Sequence, residues 1–175
     1  MKTKIYLSIV AALLLITSCN VIDDLLTFSL DNQTTVTIPS GFPVNTAFNL
    51  VTPDVPSNSS TEFKNNNTNA ELVKDVKLSE MKLTITNPAN KSFSFLKSIH
   101  IYISTNNSDE IELAFLDDIN STSNTLNLTC TTSKLDTYIK ASSFKLRTEV
   151  LTKETITQDI SVKADMKFRV TADPF

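Results

Sequence analysis

From Leu30 onward, apolar and polar residues alternate in short runs separated by clusters of Asn, Asp, Ser and Pro. That period of two marks strands with one buried and one wet face. The cleanest run is 160–172, where Val162, Ala164, Met166, Phe168 and Val170 alternate with Lys163, Asp165, Lys167, Arg169 and Thr171. Met81, Leu83 and Ile85 share a face within 76–86, Ile99, Ile101 and Ile103 within 95–104, and Ile111, Leu113 and Phe115 within 110–116. Shorter runs follow the same rule at 34–38, 46–51, 125–131 and 144–151. Turn chemistry divides them at Ser40-Gly41-Phe42-Pro43, Asn87-Pro88-Ala89-Asn90 and Asn106-Asn107-Ser108-Asp109.

Two stretches break the alternation. Residues 52–69 carry Pro53, Pro56 and the run Asn65-Asn66-Asn67, and read as a long polar surface loop. Residues 68–73 have the composition of one helical turn capped by Thr68 or Asn69. Further on, Leu135, Tyr138 and Ile139 stand at i, i+3 and i+4, the spacing of a short amphipathic helix over 135–140. About eight strands with one-sided burial and no helical layer predict an all-β fold, two antiparallel sheets packed face to face. A closed barrel is the alternative.

The amino terminus follows a different rule. Lys2 and Lys4 precede an apolar run over 5–16, which ends in Ile16-Thr17-Ser18-Cys19. A basic start, a short apolar stretch and small residues make a secretory signal. Twelve residues at ~1.5 Å rise each reach roughly 18 Å, short of the ~30 Å hydrocarbon core a spanning helix must cross. Asn20, Asp23 and Asp24 stop the apolar run from continuing.

Ile16, Thr17, Ser18 and Cys19 resemble the lipobox of bacterial lipoproteins, an aliphatic residue and two small residues before a cysteine. Thr17 is the less usual occupant. The resemblance implies cleavage before Cys19, a diacylglycerol thioether on that residue and a further acyl chain on the new amino group. Each buried methylene contributes ~0.8 kcal/mol, so two or more chains anchor stably. The organisation expected is a signal peptide over 1–18, a lipidated tether over 19–30 and the β-sandwich domain over 31–175. Asn20 is not the aspartate that favours inner-membrane retention in lipoprotein sorting, so an outer-membrane location is implied. Asp23-Asp24 looks like a short form of the acidic cluster of surface-displayed lipoproteins, which leaves the periplasmic face and the cell surface both open.

A second resemblance covers Met81-Lys82-Leu83-Thr84-Ile85-Thr86-Asn87-Pro88 and the following 93–103. Strand, Asn-Pro break and strand are similar to late-embryogenesis-abundant type 2 domains, which implies an immunoglobulin-like sandwich. The whole chain also resembles the small lipoproteins common in Gram-negative bacteria.

Composition narrows the function. Removing residues 1–18 leaves 157 residues, enough for one real core, and moves the net charge from −3 to −5. Without a basic cluster, nucleic acid is not an expected partner. Gly41 is the only glycine, so phosphate loops, dinucleotide fingerprints and nucleophile elbows are missing. With Cys19 a thioether, as the resemblance implies, Cys130 cannot form an intramolecular disulfide. Following Leu126 and Leu128 at every second position, it reads as a small core hydrophobe.

Candidate chemistry is sparse. His100 is the only histidine; between Ile99 and Ile101 it falls on the outward face with Tyr102, and no pattern places a serine or acid beside it. His100 and Cys130 alone cannot make a zinc site. Asp109, Glu110, Asp117 and Asp118 are the candidates for calcium, without the spacing of a known calcium loop. A carboxylate pair for sugar hydrolysis has no sequence spacing to betray it, but there is no tryptophan to offer a sugar platform. The expected protein is a non-enzymatic envelope lipoprotein without cofactor or metal. It is held to the membrane by acyl chains on Cys19 and binds a protein or glycan, or serves a structural role. His100, Tyr102 and Phe63, the last in the 52–69 loop, are its candidate surface. The rivals are a carrier of a hydrophobic ligand between splayed sheets and a hydrolase with an unrecognised carboxylate pair.

Overall fold

The computed structural model describes residues 26–173. Ile16, Thr17, Ser18 and Cys19 lie outside the described residues. Ten strands form two antiparallel sheets that pack as a sandwich. The first sheet runs β1 (Thr27–Ile38), β10 (Ile160–Ala172), β4 (Val73–Asn87) and β7 (Thr125–Asn127). The second runs β2 (Ala47–Val51), β9 (Ser143–Thr152), β5 (Leu96–Ser104), β6 (Ile111–Leu116) and β8 (Thr129–Cys130), with β3 (Val55–Pro56) also on β9. Among the described residues, two short helices, α1 (Ser59–Asn65) and α2 (Asp136–Lys140), and a 3₁₀ turn at Phe93–Phe95 accompany the sheets.

The predicted alternation places the core. Val162, Ala164, Met166, Phe168 and Val170 are all buried, as are Ile99, Ile101 and Ile103 from the facing sheet. Phe144 and Phe168 meet edge to face across the sheets, their ring centroids 6.5 Å apart. That geometry suits the aromatic quadrupole.

Bulges change the phase of the pattern, among them one within β4 and one within β6. In β4, Val76 and Leu78 are buried, and so are Met81, Leu83 and Ile85. A strict period of two would put these sets on opposite faces. The register steps from Phe168 opposite Leu78 to Lys167 opposite Glu80, which leaves Ser79 as the extra residue. Its hydroxyl donates to the Lys167 carbonyl at 2.8 Å. In β6 the register steps from Tyr102 opposite Glu112 to Ile101 opposite Ala114, so Leu113 is extra. Leu113 and Ala114 are both buried, and Phe115 is carried to the outer face opposite His100. The expected inward Phe115 is therefore corrected: an inserted residue flips every side chain beyond it.

The expected strand over 125–131 is two strands. β7 pairs with β4 in one sheet and β8 pairs with β6 in the other. Between them, the Leu128 N–H donates to the Met81 carbonyl at 2.9 Å, so one segment crosses the sandwich edge. Cys130 is partly buried against the core, close to its expected place, and burial raises its pKa.

From Thr27 the expected 19–30 tether is already the first strand, into which that segment is expected to run. Thr27–Leu30, assigned to the tether, pair with Thr171–Phe168 in unbroken register. Leu30 is fully buried. Within the expected 52–69 loop, β3 pairs with β9 and α1 packs on the core. The Asn32 side-chain amide, itself buried, donates to the carbonyls of Pro56 (2.8 Å) and Ser57 (3.2 Å) and ties this segment to β1. The helical turn expected at 68–73 is instead an Asx turn, in which the Asn69 side-chain oxygen accepts from the Glu71 and Leu72 N–H groups. The helix expected at 135–140 forms as α2, with Leu135, Tyr138 and Ile139 buried.

Phe63 does not belong to any surface. It is 2% exposed and meets Phe28 edge to face at 6.2 Å. In a seven-residue helix, one large apolar side chain must seat the whole element, and burial is worth more to it than exposure. Phe63→Ala should cost ~3–5 kcal/mol through lost transfer energy and the cavity left behind. Denaturant unfolding should show the midpoint falling with its slope unchanged. A loss below ~1 kcal/mol would mean that α1 is not seated on Phe63.

Candidate functional site

The outer face of the second sheet gathers polar groups around two nodes. His100 on β5 lies opposite Phe115 on β6 and Glu149 on β9. Its Nδ1 is 2.7 Å from Glu112 Oε1 and its Nε2 is 3.2 Å from Asp117 Oδ1. The ring stacks on Phe115 at a centroid distance of 5.8 Å, with 15° between the planes. The bulge at Leu113 creates this arrangement, since it sets both Phe115 and Glu112 on the face that His100 occupies.

Partial burial pushes the pKa of His100 down. Hydrogen bonds to Glu112 and Asp117, together with their charges, raise it by more, and the net direction is upward. Both ring nitrogens face carboxylates, so the imidazolium is the form that satisfies both. Among the described residues no serine or cysteine is a hydrogen-bond partner of the ring, and both nitrogens are engaged by carboxylates. Protonation of the ring is thus favoured by the two carboxylates that flank it.

Arg147 on β9 is the second node. Its Nε lies 3.0 and 3.1 Å from the two Glu110 oxygens and its Nη2 donates to Glu110 at 2.8 Å, a forked pairing. Nη1 reaches Asn49 on β2 at 2.5 Å and Glu149 at 3.4 Å. The guanidinium sits 3.9 Å above the Tyr102 ring, in cation–π range. Its contacts to Glu110 hold it charged throughout. Together, Arg147, Tyr102 and the His100 group lock four strands of one face.

Of the three candidate residues, His100 and Tyr102 thus share this face, and Phe63 is in the core. Phe115, Glu112, Asp117 and Arg147 went unnoticed as partners. Only a register could reveal them, because the six groups come from β5, β6, β9 and the loop that follows β6. The four calcium candidates are dispersed. Asp109 closes the 105–109 turn, with its carboxylate accepting from Thr105 and Asn106, and the Thr105 contact lowers its pKa. Glu110 belongs to Arg147 and Asp117 to His100, while Asp118 holds a left-handed conformation at φ 49° in a separate loop. Among the described residues no group of three or more His, Cys, Asp or Glu is placed to hold a metal.

Two spaces bear on ligand binding. Between the sheets, lined by residues such as Val36, Leu83, Phe93 and Ile101, the void is about 20 Å³. Small-molecule sites run to roughly 300–1,000 Å³, so the described conformation has no intersheet room for an acyl chain. An open concavity of about 520 Å³ lies along β1, lined by Asp31, Asn32, Gln33, Glu80, Asp165 and Lys167 among others. Its size falls in that range, and its walls mix charged side chains with Pro56 and Met166.

No family model and no curated protein matches the chain. Among solved structures it is similar to a chain of desmodium yellow mottle tymovirus at 7% identity, over 85% of this chain and 90% of that one, with a TM-score of 0.30. A likeness at that level adds nothing to what the strand pairing gives. No helix of the described residues is long and apolar enough to cross a membrane.

The His100 group makes a pH-dependent contribution with a defined sign. Its folded pKa is raised above the ordinary 6.5. The stabilisation is therefore fully present below about pH 6.5 and fades as pH climbs through the folded value. The charged neighbours are Glu112 and Asp117 from β6 and its following loop, Glu149 from β9, and Arg147 beyond Tyr102. As the sole histidine, His100 should give one imidazole NMR titration with a midpoint above 6.5. In His100→Gln, the loss of stability should be larger at pH 5.5 than at pH 9. A midpoint at or below 6.5 contradicts the pairing.

Proposed function

We propose that this protein is a lipid-anchored protein of the bacterial outer membrane, whose sandwich is a non-enzymatic binding or structural module. The observation that carries the reading is the run Ile16-Thr17-Ser18-Cys19 behind a basic and apolar leader. Acyl chains on Cys19 supply the membrane attachment, and the folded domain supplies a surface for a protein or glycan partner. The face around His100 and Tyr102 is the best-supported surface. Its side chains are held by cross-strand contacts before any ligand arrives, so little ordering entropy opposes binding.

The absence of a free histidine nitrogen and the scattering of acids among separate partners favour binding over catalysis. The small intersheet void favours a surface partner over an enclosed hydrophobic ligand. The immunoglobulin-like kinship suggested by residues 81–103 belongs to the same proposal, as a comparison of architecture.

Lipidation is the test. Cells grown with radioactive palmitate should label the parent protein and not Cys19→Ala. In detergent phase partitioning the parent should enter the detergent phase and the variant the aqueous phase. An unlabelled parent, or identical partitioning of the two, removes the anchor and with it the reading.

A further inference from the structure

The two ends of the sandwich differ, and the start of β1 identifies one of them. Thr27 pairs with Thr171, and this end also carries α1 and α2. Phe63 of α1 packs on Phe28, and the Leu135 N–H ahead of α2 donates to the Val76 carbonyl at 2.9 Å. The Tyr138 hydroxyl donates to the Asp109 carbonyl and draws in the 105–110 turn. At the opposite end, Ile38 pairs with Ile160. Backbone bonds there join four loops: Gly41 to Ile156 and Phe93 to Ser123, each at 2.9 Å, and Lys153 to Phe95 at 2.8 Å.

Chain length then limits how the domain sits on a bilayer. Eight residue steps separate Cys19 from Thr27. Whatever conformation that segment takes, it spans at most about 29 Å at ~3.6 Å per residue. β1 is twelve residues long, so Thr27 and Ile38 are separated by about 36 Å at ~3.3 Å per step. Inverting the domain with β1 upright would require Thr27 to stand that far above the headgroups. The tether is too short by several ångströms.

We infer that the lipidated protein sits with its α1/α2 end toward the lipid headgroups and its four-loop end, residues 39–46, 88–95, 117–124 and 153–159, directed away from the bilayer. The occupant of the helical end is the lipid surface. Charge does not impose this pose: exposed Lys64, Lys74 and Lys134 are interspersed with Glu71, Asp75 and Asp173. The covalent leash does, and the inference accordingly rests on the lipid anchor proposed above. A partner meets the four-loop end or the His100 face, and the helical end is closed to it.

Depth-dependent quenching tests the pose. The full-length protein, purified with its lipid and carrying Cys130→Ser, is labelled at Ala70→Cys beside the helices or at Thr122→Cys in the four-loop cluster. Both positions are exposed. Each variant is reconstituted in phosphatidylcholine vesicles that contain headgroup-nitroxide lipid. Quenching at Ala70→Cys should exceed that at Thr122→Cys severalfold, and a fifteen-residue Gly/Ser insertion after Asp24 should reduce the contrast. Equal or greater quenching at Thr122→Cys in protein that floats with the vesicles overturns the pose and leaves the anchor standing. Protein that fails to float with the vesicles overturns both.

Discussion

Burial of the inner face of β10 is the constraint on which the other strands depend. β10 lies between β1 and β4, and five consecutive inward positions, Val162 to Val170, are apolar and buried. A one-residue slip against either neighbour would turn that row, or its partner row, into water. The neighbours must match it in phase and length. β1 does so by starting at Thr27, and β4 does so by inserting Ser79 where its own apolar positions change from even to odd numbers. The bulge is thus the local adjustment that lets a mismatched sequence keep one continuous core.

The same device, used in β6, builds the polar face. An extra residue at Leu113 keeps Leu113 and Ala114 in the core and hands Phe115 to the outside. There its ring supports His100, whose two nitrogens are met by carboxylates on either side of the bulged stretch. Arg147 joins β2, β9, β5 and the start of β6 through Asn49, Glu149, Tyr102 and Glu110. Exposed ion pairs contribute little one at a time. A forked pair stacked on an aromatic ring gives a defined shape even where its net energy is small. That distinction matters for a binding surface, which needs fixed geometry more than it needs stability.

Anchor and domain divide the labour in the proposed reading. The acyl chains provide attachment, which frees the folded surface from any need to be basic or greasy. The segment between Cys19 and β1 is short because β1 extends to Thr27, and each residue taken into the sheet is one removed from the leash. Strand length and orientation at the membrane are coupled through that shared stretch of chain.

The amino-acid sequence by itself determined the class of fold, the position of most strands and the α2 helix, and it carries the lipobox resemblance on which the proposed anchor rests. Each depends on residues close together in the chain: a period of two, an i, i+3, i+4 triplet, or a leader ending in cysteine. Tertiary structure alone decided where the period is interrupted, because a bulge exists only in relation to the strand opposite it. It decided that the segment over 125–131 divides between sheets, that Phe63 seats α1 in the core, and that His100 meets Glu112 and Asp117. Those pairings join residues that are distant in the chain and adjacent only through register, and register is set by the sum of many buried contacts rather than by any local motif.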